Sequence, residues 1–304
     1  MARAAGSSHA YTFKLKGTRK GDEYTLDFPS VTHVLKSVAD SLGFGAMAWW
    51  GYKIGIRALN PELDDDDIGE LYEAAKQTDW TPNKVRDEAG ERGTGTHDLL
   101  EAIARDEVIA SREGDLFIVS GPTETLADLL GLEGKEKKGF LKAGTEAFEP
   151  VGYQEAGVRW WLDQTDQEIS FAERPVWSVR HGFGGTLDLA REVDNISFEI
   201  VDYKTHKPAP GARKDGTYRD GEGPAYIDDL LQLAGYRQCV EELGFGRVTG
   251  TRVVLLGPDG FYYEDTRTVP AQAFLNMKAV HDDVCRKAEC LRMARAYGAY
   301  WGEV

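Results

Sequence analysis

Gly184-Gly185-Thr186-Leu187-Asp188 and, a few residues on, Ile200-Val201-Asp202-Tyr203-Lys204-Thr205 decide how this chain is read. The two stretches read as adjacent strands that bring two carboxylates and one ammonium to a single point. Residues i and i+2 of a strand share a face, so Asp202 and Lys204 point one way and Tyr203 points into the opposite layer. Apolar Phe198, Ile200 and Val201 come just before, which places the pair at the end of a buried strand. An unpaired charge in such a place is costly. A divalent cation between Asp188 and Asp202 gives the charges a reason, and Lys204 then faces the negative charge that develops on a phosphate. The competing reading is a surface strand pair with an ordinary Asp–Lys salt bridge.

The composition narrows the classes. The chain has 304 residues, 41% hydrophobic and 11% aromatic, enough for a substantial core. No apolar run of membrane-spanning length occurs, and Met1 to Ala10 lacks the apolar stretch of a secretion signal. Three cysteines, Cys239, Cys285 and Cys290, suit a reducing compartment and do not form a disulfide framework. The net charge of -15 works against nucleic-acid binding. That charge is uneven, however. Acid gathers in Pro61 to Glu73, and base gathers at Lys135 to Lys142 and Lys204 to Arg219, so a local basic rim remains available for phosphate.

Periodicity gives the order of elements. Tyr11 to Leu15 and Tyr24 to Phe28 read as a hairpin. Ser30 caps a helical stretch that runs to about Leu59, with Trp49 and Trp50 in the core. Further helices are expected at Ile68 to Thr78, Asn83 to Asp106, Thr123 to Leu130 and Gly139 to Gln164. Ile169 to Arg180, Gly184 to Arg191 and Ile196 to Tyr203 read as strands. His206 to Pro224, rich in Gly, Pro and charge, reads as a loop. Ile227 to Leu243 is a helix, Thr251 to Leu256 a strand with a partner at Phe261 to Glu264, and Pro270 to Tyr297 a long helix. The fold class is α/β, a mixed central sheet flanked by helices behind an N-terminal helical lobe. The chain is expected to form one domain over 1–304, with a mainly helical part at 29–165, a sheet core at 166–265 and a terminal helix at 270–304.

Three further features bear on the Asp188, Asp202 and Lys204 set. His97 follows the glycines of Arg92-Gly93-Thr94-Gly95-Thr96 on a helix, and is either a structural histidine or a ligand; the glycines let a backbone or a phosphate come close. Glu173, on the strand before Asp188, is either a third carboxylate or an exposed glutamate paired with Arg174. Gln232 and Tyr236 are four apart on the helix after the basic loop and share a face suited to hydrogen bonding. No Gly-x-Ser-x-Gly elbow, His-Glu-x-x-His pair or dinucleotide fingerprint is present.

In order, His97, Glu173, Gly-Thr-Leu-Asp188, Asp202-Tyr203-Lys204-Thr205 and Gln232-x-x-x-Tyr236 resemble the PD-(D/E)xK nuclease superfamily and, within it, the RecB-type branch with its phage exonucleases. Pro29-Ser30-Val31-Thr32 resembles phage members of that branch. The resemblance implies a restriction-endonuclease-like core and a Mg²⁺- or Mn²⁺-dependent DNA exonuclease of recombination, repair or replication. It implies metal ligands at Asp188, Asp202, the Tyr203 carbonyl and His97, with Glu173 as a further catalytic carboxylate. Lys204 would orient the attacking water or stabilise the phosphate. Gln232, Tyr236, Thr205, Arg92, Lys207 and Arg213 would contact substrate. A recombinase, single-strand annealing protein or helicase would be a partner, in the cytoplasm of a bacterium or phage-infected host. Leu187 stands where the superfamily's proline would be. Some members hold an iron–sulfur cluster through four cysteines; with three cysteines, no cluster is expected here.

Overall fold

The computed structural model describes residues 10–16, 23–41, 82–164, 168–205 and 223–296, with side chains at 28–38, 93–164, 168–205 and 223–283. The elements in chain order are β1 (Ala10–Lys16), β2 (Glu23–Pro29), α1 (Val31–Ser41), α2 (Pro82–Ala104), β3 (Ile109–Glu113), β4 (Leu116–Ser120), α3 (Thr123–Leu129), α4 (Gly134–Ala143), β5 (Ala147–Phe148), α5 (Tyr153–Asp163), β6 (Ile169–Ser178), β7 (Phe183–Asp194), β8 (Ser197–Lys204), α6 (Ile227–Glu242), β9 (Arg247–Leu256), β10 (Tyr262–Asp265) and α7 (Ala271–Ala296). Among them no helix is long and apolar enough to cross a membrane.

Five strands form the central sheet in the order β10-β9-β8-β7-β6. Only β8 and β9 run parallel. Parallel neighbours cannot be joined by a tight turn, and α6 lies in the crossover between them. These two strands are apolar on successive residues, as strands buried on both faces must be. Ile200, Val253 and Leu255 enter a cluster with Val31, Val34, Leu230, Leu233 and Phe274 of α1, α6 and α7. Val201, Tyr203, Val254 and Leu256 enter a second cluster with Leu99, Leu100, Val158 and Trp160 of α2 and α5. The sheet is thus the middle layer of three.

The registers explain where a cleft can open. Pairing of β7 with β8 ends at Leu189↔Val201. Past that point β8 stays bound to β9, through Asp202↔Val253 and Lys204↔Leu255. β7 instead stays with β6, out to Ser178↔Phe183. The two central strands therefore part where Asp188, Asp202 and Lys204 lie.

Most expected elements form. Ser30 Oγ accepts the His33 amide hydrogen at 3.0 Å and caps α1. Two expectations are corrected. The helix read over Gly139 to Gln164 is broken: Gly144 ends α4 in the left-handed region with φ 65, and α5 begins only after Gly152 at φ 59. The mainly helical part also contains a small antiparallel sheet, β3-β4-β5, whose Phe117 and Val119 join the second cluster. The helix expected at Ile68 to Thr78, the stretch to Leu59 with Trp49 and Trp50, and 206–222 of the expected loop lie outside the described residues.

Ile200, fully buried at the centre of β8, tests this core. Ile200→Ala is expected to lower unfolding free energy by about 2–5 kcal/mol in urea titrations.

Candidate active site

Asp188 closes the gap that the parting strands leave. Its Oδ2 accepts the Tyr203 amide hydrogen at 2.9 Å, where no β7 carbonyl is in register to do so. The side chain takes over from the backbone ladder, which fixes Asp188 against the end of β8. On the α6 side of β8, the Lys204 ammonium lies 2.5 Å from Asp202 Oδ2. Gln232 joins both: its Oε1 accepts from Lys204 Nζ at 3.2 Å, and its Nε2 donates to Asp202 Oδ1 at 3.0 Å. The same Nε2 is 3.1 Å from the Tyr236 hydroxyl. Tyr236 is buried against Gly185, where any Cβ would collide with its ring. A glycine is required there so that α6 can press the amide onto the ion pair.

The start of α6 is pinned as well. Asp265 Oδ2 accepts the Ala225 amide hydrogen at 3.0 Å, and Arg267 Nη2 donates to the Ala225 carbonyl at 3.0 Å. Asp229 Oδ2 accepts the Tyr226 amide hydrogen at 2.9 Å. Asp229, Asp265 and Arg267 escaped the sequence reading. Asp265 and Arg267 are 40 and 42 positions from Ala225 and carry no local signal of the pairing, whereas Asp229, three residues after Tyr226, completes a local capping box.

From the other layer, α2 delivers His97. Its Nε2 is 3.0 Å from the Tyr203 carbonyl oxygen, so Nε2–H donates there. Its Nδ1 faces Asp188 Oδ2 at 3.6 Å and Glu173 Oε1 at 4.0 Å. The Tyr203 ring packs edge-on to His97 and to Trp160. Gly93, one helical turn earlier, lets α2 approach the Thr205 hydroxyl; a Cβ there would lie 3.1 Å from it. Ligand atoms of His97, Glu173 and Asp188 all fall within 4.8 Å of one another.

Glu173 arrives by a break in the strands. Phe171 and Val176, five apart, both meet the first core cluster, while Leu187 and Leu189, two apart, meet opposite clusters. Alternation therefore slips in both strands between these residues. Glu173 sits at the slip with φ 44, a left-handed value for a non-glycine residue, opposite Asp188. Strain of that kind costs on the order of 1–3 kcal/mol. Arg174, the salt-bridge partner considered from sequence, instead lies over the Phe171 and Phe245 rings.

Burial sets the electrostatics. The Asp202 carboxyl has no exposure, and its pKa is pushed up to about 7, by burial first and by the charges of Asp188 and Asp229, against the opposing pull of Lys204. Burial works to lower the Lys204 pKa, but the carboxylates of Asp202, Asp188 and Asp229 outweigh it and hold the ammonium above its ordinary value. Asp202 Oδ2 takes no aligned hydrogen bond among the described residues. The arrangement can hold a cation between His97, Glu173 and Asp188, with a fixed ammonium beside it.

Of the residues singled out in sequence, His97, Glu173, Asp188, Asp202, Tyr203, Lys204, Thr205, Gln232 and Tyr236 converge here. Lys207 and Arg213 lie outside the described residues, as does the side chain of Arg92, whose backbone is in α2. Cys239 is buried in α6.

The backbone at Glu173 yields a test. Neither Glu173→Gly nor Glu173→Ala keeps the carboxylate, but glycine accepts a positive φ without strain. Glu173→Gly is expected to be more stable than Glu173→Ala by about 1 kcal/mol in chemical denaturation. Equal stabilities would show that the left-handed backbone is not held in solution.

No curated protein matches the chain. The profile of the PD-(D/E)XK nuclease superfamily matches residues 48–294, a span that takes in His97, both core strands of the site and α6. That match extends over most of the chain, and on it this protein belongs to the PD-(D/E)XK nuclease superfamily.

Proposed function

We propose that the chain is a divalent-metal-dependent deoxyribonuclease that digests linear DNA from an end. The observation that carries this reading is the convergence of His97, Glu173 and Asp188, one ligand atom from each within 4.8 Å of the others, near the Lys204 ammonium. The donor set fits the group: carboxylate oxygens and one imidazole nitrogen, with the Tyr203 carbonyl adjacent, suit Mg²⁺ or Mn²⁺. Asp202 is the further carboxylate on this reading; it stands outside the His97, Glu173 and Asp188 group, with its Oδ2 against the Lys204 ammonium. When bound, such a cation lowers the pKa of a coordinated water and offsets phosphate charge.

The chain's own residues do the rest. Lys204, held by Asp202 and Gln232, keeps its proton and meets the charge that grows on the phosphate during attack. Gln232 fixes the direction of that ammonium. Tyr236, buried behind the amide, supports it. Thr205, next along β8, reaches the substrate phosphate, with Arg92, Lys207 and Arg213 as further contacts. On this reading 1–304 works as one nuclease domain. The ordered motifs favour the RecB-type branch with its phage members, hence end-directed digestion in recombination, repair or replication, in the cytoplasm and beside a recombinase, annealing protein or helicase.

Purified protein given linear and circular DNA with Mg²⁺, Mn²⁺ or EDTA tests this. Loss of linear DNA alone, abolished by EDTA and by Asp202→Ala, is the expected result. Cut circles would replace end-directed digestion with endonuclease action. Lys204→Ala is expected to reduce turnover by about 10²- to 10³-fold; undiminished turnover removes Lys204 from the mechanism.

Asp202 also gives a pH dependence. Its folded pKa, about 7, is raised above its ordinary value, so the native state holds the proton longer than the unfolded chain. The stability this contributes is present below the unfolded pKa of about 4 and is lost as pH rises through about 7. In EDTA, wild type should therefore lose stability relative to Asp202→Asn across that window. A pH-independent difference between the two proteins would contradict the raised value.

A further inference from the structure

The site accounts for the strand gap and its ligands but not for α4. This helix has the sequence GKEKKGFLKA and no buried residue. Its ten residues carry four lysines and one glutamate, a local charge of +3 (4 − 1) in a chain of net charge -15. Lys137 turns back to Asp128 on α3, and Phe140, partly buried, packs toward the second core cluster. Lys135, Lys138 and Lys142 are exposed, and at i, i+3 and i+7 they form one stripe on the face away from Phe140. The stripe is about 10 Å long at 1.5 Å per residue. Glu136 lies about 100° round the helix from Lys135, off the stripe.

Between α2 and the segment that joins α3 to α4 lies a groove of about 500 Å³. Gly95 and Thr96, which directly precede His97, line one side; Leu129, Leu130 and Gly131, which lead into α4, line another. Val151 to Gln154 at the start of α5, with Pro258, complete it, and none of its lining residues is charged. In a chain with 51 acidic residues, a groove with no charged lining that extends from the residues before His97 to the segment leading into α4 suits a polyanion. Scattered acid elsewhere on the surface repels the phosphate backbone. Here the backbone meets neutral walls, and α4 with its lysines begins three residues after Gly131 in the chain.

We infer that the Lys135–Lys138–Lys142 stripe of α4 binds the phosphate backbone of DNA that extends away from the cleaved end. The inference rests on the nuclease reading for its substrate and makes the stripe a tether that sets affinity without touching the reacting phosphate. Its contribution is electrostatic and independent of base sequence, and it reaches only substrates long enough to span from the strand gap to α4.

The test compares wild type with the triple variant Lys135→Gln/Lys138→Gln/Lys142→Gln, whose changes are all on the surface. Binding of a labelled long duplex and of one trimmed to a few base pairs is followed by fluorescence anisotropy in EDTA between ~50 and ~200 mM salt. With long DNA, the slope of log K against log salt should become shallower by about 2 to 3, three phosphate contacts being lost at ~0.9 each. The short duplex should bind both proteins alike, and turnover at saturating DNA should be unchanged. Equal salt slopes on long DNA overturn the stripe. So does an equal loss of affinity on both lengths. The nuclease reading fails separately: protein that binds long DNA with the stripe-dependent slope yet cleaves nothing with any metal keeps the stripe and loses the activity.

Discussion

The hydrogen bond from the Tyr203 amide to the Asp188 carboxylate is the constraint on which the site depends. Two central strands of one sheet diverge, and a buried amide at the divergence must find an acceptor. Supplying that acceptor from a side chain rather than a backbone turns a loss of pairing into a fixed carboxylate. It also leaves the Tyr203 carbonyl free of β7, where His97 engages it. One parting of strands thus sets the positions of Asp188, Tyr203 and His97 together. Pairing with β9 keeps Asp202 and Lys204 in register on the other side of the same gap.

The second constraint is charge. Asp188, Asp202 and Asp229 surround one lysine in a region shielded from water, and burial first, then repulsion from the other two carboxylates, raises the Asp202 pKa. Lys204 and the Gln232 amide relieve part of it. The Gln232 side chain is fully used, with its oxygen on the ammonium and its nitrogen shared between a carboxylate and a hydroxyl. That geometry demands that α6 sit close to β7, which the missing side chain at Gly185 permits, and that its first turn be anchored, which Asp265 and Arg267 provide. A single cation added between His97, Glu173 and Asp188 would ease the remaining acidic excess.

Much of this was legible in the chain because the relevant signals are local. Strand alternation placed Asp202 and Lys204 on one face, and helical spacing placed Gln232 beside Tyr236. Both hold because a backbone period needs no knowledge of what packs against it. The misreading of Gly139 to Gln164 has the opposite cause. Apolar residues recur there at helical spacing on both sides of a break, and the glycines at 144 and 152 end and restart the helix through positive φ rather than through pattern. Glu173 was ambiguous for a related reason. Regular alternation sets it on the face of Phe171, and only the slip beside φ 44 turns it toward His97.

By itself the sequence determined the fold class, the two core strands with their Asp-x-Lys element, and the helix that carries Gln232, since each follows from periods of two or 3.6 residues. Only the tertiary structure decided that the strands part at Leu189 and Val201, that Asp188 serves the Tyr203 amide, and that His97 and Glu173 stand within reach of it. These contacts join residues 15 to 106 positions apart. No local period encodes such distances; they exist because packed layers on both faces of one sheet leave each buried polar group few partners to choose from.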